Sequence, residues 1–473
     1  MVFSSTIFLL YFLPIFLGIY YLADVKYKNY IALAASIFFY SWGAPSFIFI
    51  VIGSVIADFF IVKKMYEARG KAKNWLLTLS VILNLGLLAY FKYANFFVDN
   101  FNVFLNLTGA GQIHLAKIIL PIGISFFTFQ KFTYGIDVYR GKHPPLKKIS
   151  DLCLYILLFP QLIAGPIVRY SEIADQINDR RANETIENKL TGLFRFIIGL
   201  SKKVLIANVM GAEADRIFAM DIHSMNSSVA WIGILAYTFQ IYFDFSGYSD
   251  MAIGLGKMIG FKFPENFDNP YVSRSISEFW RRWHMTLGRW MKDYLYIPLG
   301  GNKVKSKTRL YFNLWFVFLI SGLWHGASWT FVVWGAFHGL FLILDRLFLL
   351  KVLEKIGKWP AMVFTFLITI VGWVIFRSET LSYAYHYIGN LFSFNFESLG
   401  YLDREFYVVL IIAVFFSFIT TFKSGKCLET KVLYQDYPNR RYFIMAGLCL
   451  ILLVISVADI SSSGFNPFIY FRF

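Results

Sequence analysis

Apolar runs near the membrane-spanning length of about 20 residues recur from end to end of this chain, and short basic stretches punctuate them. The runs fall at residues 3–22, 30–42, 46–62, 74–91, 118–139, 152–168, 191–209, 228–245, 310–323, 329–344, 361–376, 406–422 and 443–457. The second and third form a pair joined at Gly43-Ala-Pro45, a tight turn by its residue types. Basic residues fill 63–73, 140–148, 301–309, 346–358 and 423–441, the pattern of cytoplasmic loops. Between the loops at 140–148 and 301–309 lie three apolar runs, and an odd number of crossings cannot return to the same side. Residues 152–168 are therefore expected to be re-entrant, because Pro160 and the Gly165-Pro166 pair break a helix. Such a segment is tolerated at membrane depth where it is buried or lines a cavity. The pattern predicts an all-α polytopic membrane protein of about twelve crossings, both termini outside. Residues 92–117, Asn-rich and nearly uncharged, are expected as an external loop. The mixed-charge run SEIADQINDRRANETIENK (171–189) is expected as a solvated amphipathic segment.

Composition narrows this picture without redirecting it. The chain of 473 residues is 57% hydrophobic and 16% charged, against roughly 25% charged for soluble domains. Aromatics make up 20%, which suits lipid contact and interfacial belts. The net charge of +16 sits in short loops between apolar runs, so it reads as a topology signal facing anionic lipid rather than as a nucleic-acid surface. Cys153, Cys427 and Cys449 are far apart and lack metal or redox spacing. The N-terminus lacks a basic n-region and a small-residue cleavage site, and is expected as a retained first span.

Candidate chemistry concentrates in two blocks, FWRRWHMTLGRWMKDYLYIPLGGN (279–302) and SGLWHGASWTFVVWGAFHG (321–339). They hold His284, His325 and His338, three of the seven histidines. A polar ring in apolar sequence at membrane depth needs a partner or a job. His325 lies between Trp324 and Gly326, at the outer end of a short run that would leave it below the outer surface. His338 has the ordinary reading of a core histidine bonded to a backbone carbonyl. On one straight helix, His325 and His338 would lie on nearly opposite faces, about 20 Å apart. No HxxxH or HxxH pair is present, so a metal is discounted. His284 follows Trp280 and Trp283 on an expected interfacial helix. Arg281, Arg282, Arg289 and Lys292 are ordinary for a cytoplasmic interface, and could also hold phosphates or an acidic carrier.

These two blocks, with MVFSSTIFLLYFLPIFLGIYY, LPIGISFFTFQ, FPQLIAGPIVR, GLSKKVLIAN, YFDFSGYSDMAIG and the terminal NPFIYFRF, resemble the membrane-bound O-acyltransferase (MBOAT) family, specifically its bacterial alginate O-acetylase-type branch. The resemblance runs over the whole chain. It implies a single domain, 1–473, with N-terminal helices at 1–140, a catalytic core at 141–345 and C-terminal helices at 346–473. The implied fold is a ring of about 11–13 transmembrane helices around a thinned core with re-entrant segments. By resemblance His325 matches the family's invariant histidine and His284 its second, variable position. The resemblance implies acyl transfer to a hydroxyl, with His325 as general base and His284 orienting or polarising the donor carbonyl. Arg281, Arg282, Arg289 and Lys292 would receive the donor. No bound cofactor is implied; acetyl-CoA is the implied donor. The implied partners are an extracytoplasmic acyltransferase that takes the acetyl group, a polysaccharide acceptor and membrane lipid, in the bacterial inner membrane. Two other readings are D-alanyl transfer to teichoic acid from a carrier protein, and a transporter or flippase. Repeated halves of the kind transporters often show are not evident.

Overall fold

The computed structural model describes residues 1–109, 111–163, 165–397, 403–435 and 437–462. Among the described residues every regular element is helical. Gly70–Leu107, Lys358–Arg377, Arg404–Thr421 and Asn439–Ser462 are long and apolar enough to cross a membrane. Phe443, Leu450 and Val454 on the last of these stand exposed. In water such a surface would promote association; against hydrocarbon it is at home. The protein is an all-α multi-pass membrane protein. The terminal NPFIYFRF motif lies outside the described residues.

The chain divides into two compact units, residues 1–192 with 255–264, and residues 193–254 with 265–473. In the first unit the helix break expected at Pro160 falls one turn early. The Ile149–Leu157 helix ends, Leu158 turns, and Phe159–Leu162 forms a single separate turn. The break leaves backbone groups without helical partners, and the fold supplies them. Ser36 Oγ accepts from the Phe159 N–H at 3.1 Å, and Gln161 Nε2 donates to the Tyr155 carbonyl. The Phe159 ring then inserts among Phe3, Phe8, Phe12, Phe16 and Phe39, with centroids 5.2–6.3 Å away.

Two sequence expectations fail in this unit. The segment at 92–117 is not a loop throughout, because the Gly70 helix runs on to Leu107. Helix returns only at Ile124–Tyr139 rather than at 118, since Pro121 cannot sit inside a helix. The asparagines that read as loop residues instead bind the non-helical chain. Asn95 and Asn102 each exchange two hydrogen bonds with the backbone, of Ile118 and Ile113 respectively. The mixed-charge run is likewise not merely solvated. The Tyr170–Asn178 helix buries Tyr170, Ile173, Ala174 and Ile177. Buried Arg180 donates to Tyr20 Oη at 2.9 Å, Asn29 Oδ1 at 2.6 Å and the Ile259 carbonyl at 3.0 Å. Glu184 pairs with Lys28. Charges in a low-dielectric setting need such partners.

The second unit holds residues 227–254 of the long helix Ser227–Met258, buried on every face from 236 to 254. A helix enclosed all round belongs in a core, so its charges are paired. Asp244 meets Lys203 at 2.9 Å; Asp250 meets Arg195 at 2.8 Å and Lys202 at 2.7 Å. Arg195 also grips Glu265 through both carboxylate oxygens, at 2.6 and 2.5 Å. A helix that the apolar pattern did not predict, Leu381–Leu391, is capped by Thr380, whose Oγ1 accepts from the Tyr383 N–H.

Candidate active site

The second block folds as a helical hairpin, Lys307–His325 and Trp329–Leu344. Its two helices meet at glycines. A Cβ on Gly322 would lie 2.2 Å from the Phe331 carbonyl oxygen, and one on Gly335 2.4 Å from that of Phe318. Only glycine permits this backbone-to-backbone approach. The approach sets His325, the last residue of its helix, against Trp334 of the facing helix, with ring centroids 5.2 Å apart. Trp324 and Phe376 flank the same imidazole at 5.0 and 5.4 Å. His325 is buried.

Because the chain turns between 325 and 329, the straight-helix separation of His325 and His338 does not apply. His338 packs on Trp334 at 5.1 Å and on Trp280 at 5.0 Å. Each histidine centroid is thus about 5 Å from that of one indole, so the two rings stand no more than about 10 Å apart.

The first block is not one interfacial helix. Ile276–Arg282 is a short helix whose Ser275 cap accepts from the Glu278 N–H, while the hairpin's Asp345 accepts from the Ser277 N–H at 2.8 Å. Trp283 and His284 break the helix, and Met285–Met291 begins a second. His284 sits at φ +45°, ψ +51°, a left-handed conformation costing a side-chain-bearing residue of order 1–3 kcal/mol. It is 1% exposed. The Trp-Arg-Arg-Trp-His stretch was expected on an interfacial helix, yet Trp283 is buried among Phe267, Phe279 and Trp373 rather than at an interface. That burial draws His284 inward, to a centroid distance of 6.5 Å from His325.

Asn266 meets this turn. Its carbonyl accepts from the Met285 N–H at 2.9 Å, and its Oδ1 lies 3.0 Å from His284 Nδ1 and 2.8 Å from the Thr286 hydroxyl. Phe245 of the long helix closes the other side, edge-on to His284 at 4.7 Å. His284 also lines a cavity of about 540 Å³ walled by Trp280, Trp283, Leu287, Met291, Leu314, Val317, Phe318 and Ser321. The cavity's cations are Arg281, Arg289, Lys292 and Arg346. Arg282 is not among its lining residues; it pairs with Glu278 at 3.0 Å and Asp268 at 3.1 Å. Nor is His325. Arg346, Asn266 and Phe245 escaped the sequence reading. Arg346 stood in a basic loop, and nothing in the sequence around Asn266 or Phe245 marks either as a neighbour of a histidine.

An apolar-walled cavity that carries four cations, with one of two close buried imidazoles in its lining, is the candidate site of this helical membrane protein. The profile of MBOAT, the membrane-bound O-acyltransferase family, matches residues 137–376, which include every residue of this site. The probable alginate O-acetylase AlgI of Pseudomonas putida is 41% identical over 491 aligned residues, with 100% of both chains covered. The peptidoglycan O-acetyltransferase of Helicobacter pylori is 37% identical, covering 100% of this chain and 98% of its own. The teichoic acid D-alanyltransferase of Bacillus subtilis is 28% identical across 56% of this chain. The chain belongs to the membrane-bound O-acyltransferase family, and it is an O-acyltransferase.

Proposed function

We propose that this protein moves an acetyl group from a cytoplasmic donor, acetyl-CoA, to a polysaccharide outside the bacterial inner membrane, through an extracytoplasmic acyltransferase partner. The observation that carries this reading is the cavity: four cations and apolar side chains line it together with His284, whose ring centroid is 6.5 Å from that of His325. Arg281, Arg289, Lys292 and Arg346 suit the phosphates of a nucleotide-bearing donor. The apolar wall suits a thioester arm and excludes the water that would hydrolyse it.

His325 acts as general base. It takes the proton of the acceptor hydroxyl as the oxygen attacks the acyl carbon, and returns it to the departing thiolate. An imidazole is suited to both steps because one ring can take up a proton and give it back. Basic residues at 301–309, 346–358 and 423–441 put the cavity's cations on the cytoplasmic side by the positive-inside rule. The acceptor then approaches His325 from outside. Full-length similarity to O-acetylating relatives, against partial similarity to D-alanylating ones, favours acetyl over D-alanyl cargo. Mass spectrometry of cell glycans with and without the gene tests the reading. Loss of O-acetyl groups on deletion, restored by the wild-type gene and not by His325→Ala, is the expected result. Unchanged O-acetylation with loss of D-alanyl esters would replace acetyl by D-alanyl as the cargo.

A further inference from the structure

Three donors converge on one oxygen beside His284. Asn266 Oδ1 receives the Thr286 hydroxyl at 2.8 Å and the Thr286 N–H at 3.4 Å, and His284 Nδ1 stands 3.0 Å away. A backbone N–H only donates, so the atom facing it is the amide oxygen. The amide nitrogen turns the other way and donates to Ser249 Oγ at 3.1 Å. An amide oxygen has no proton to give. His284 Nδ1 must therefore carry one, and the neutral ring is left bare at Nε2. That atom is buried without a hydrogen-bond partner among the described residues, on a ring that lines the cavity.

Asn266 is itself held firmly. The bidentate grip of Arg195 fixes Glu265 immediately before it. The Asn266 carbonyl takes the Met285 N–H, and the Asp268 N–H donates to the Arg282 carbonyl at 2.9 Å. Residues 266–268 thus run beside 282–285 and hold the left-handed turn at His284 in place.

We propose that Asn266 is a positioning residue that fixes His284 as its Nδ1–H tautomer, making Nε2 a hydrogen-bond acceptor for an N–H or O–H group of the bound reactant. This rests on the reading of His284 as part of the acyl-transfer site. It changes the role given to that histidine by resemblance. A neutral ring held this way has no Nε2 proton with which to polarise a donor carbonyl; it accepts instead.

Nitrogen-15 NMR of the full-length protein labelled at histidine, with His284→Gln assigning the signals, reads the tautomer directly and needs no turnover. The expected wild-type spectrum shows a protonated Nδ1 and a bare Nε2. In Asn266→Leu the His284 signals should move toward a tautomer mixture. Its kcat should fall about 10²-fold, the cost of a misplaced reacting group, with the donor KM little changed. Asn266→Asp keeps an acceptor at Nδ1 and should restore the tautomer and much of kcat. Its carboxylate favours the imidazolium, so neutral His284 is lost at a higher pH. The acidic limb of the pH–rate profile should therefore move up by about 1–3 units. A wild-type Nε2–H tautomer, or Asn266→Leu with unchanged signals and kcat, overturns the proposal. If Asn266→Leu fails to insert, the wild-type spectrum and the Asn266→Asp profile decide. A correct tautomer combined with full activity in His284→Gln would instead overturn the catalytic reading of His284 and leave the positioning intact.

Discussion

Gly335→Ala is a small change with a large expected effect, because the atoms in its way are backbone. The new Cβ would lie 2.4 Å from the Phe318 carbonyl oxygen and 3.1 Å from its carbon. Neither can rotate aside. Ordinary contact is about 3.5 Å, so the hairpin helices must part by about 1 Å at this level. Overpacking of this kind costs about 1–3 kcal/mol. The catalytic penalty is the larger one. The hairpin carries His325 on one helix and its packing partner Trp334 on the other, and a misplacement of about 1 Å costs about 10²-fold in rate. Gly389→Ala is the matched control. It also lies in a helix, but its Cβ meets nothing within 4 Å, so it should stabilise by about 0.5–1 kcal/mol and leave activity alone. Acetyl transfer and the thermal unfolding midpoint in detergent, measured on both variants, make the comparison. A Gly335→Ala protein with wild-type activity and midpoint would refute the claim that close glycine packing sets the geometry at His325.

His325→Ala should lose transfer by about 10²–10⁴-fold while still inserting, His284→Ala should lose less, and His338→Ala least; in vitro rates that put His338→Ala lowest would reverse the assignment. Lys292→Ala and Arg346→Ala, in the cavity lining, should raise the donor KM, whereas Arg282→Ala, whose guanidinium is engaged by Glu278 and Asp268, should leave it unchanged; steady-state kinetics against donor concentration distinguish them. Lys203→Met should destabilise by about 3–5 kcal/mol, because it removes the cation that pairs with buried Asp244 at 2.9 Å, and replacing Asp244 as well should recover most of the loss in midpoint. Single cysteines and a membrane-impermeant thiol reagent in intact cells should label Asn106→Cys and not Ser306→Cys, both exposed positions; labelling at 306 would invert the topology.

What the sequence determined by itself is the solvent and the chemistry. Apolar runs of spanning length force helices, since hydrocarbon leaves backbone groups no other partner. Basic loops set a consistent sidedness. Motif order named the family, and scarcity made the histidines conspicuous in apolar sequence. Local patterning failed where distant groups decided the outcome. The asparagines after residue 92 read as loop until Ile113 and Ile118 supplied backbone for them to bind. Arg180 and Glu184 read as solvated until Tyr20, Asn29 and Lys28 enclosed them. His284 read as interfacial because periodicity cannot foresee a left-handed residue, which persists only where tertiary contacts hold it. The distance from His284 to His325, the shared indole between His325 and His338, and the Asn266 contact all join residues far apart in sequence. Only the packing of the hairpin, the long buried helix and the 266–268 segment brings them together, because such distances depend on which helix faces meet, and no local pattern encodes that.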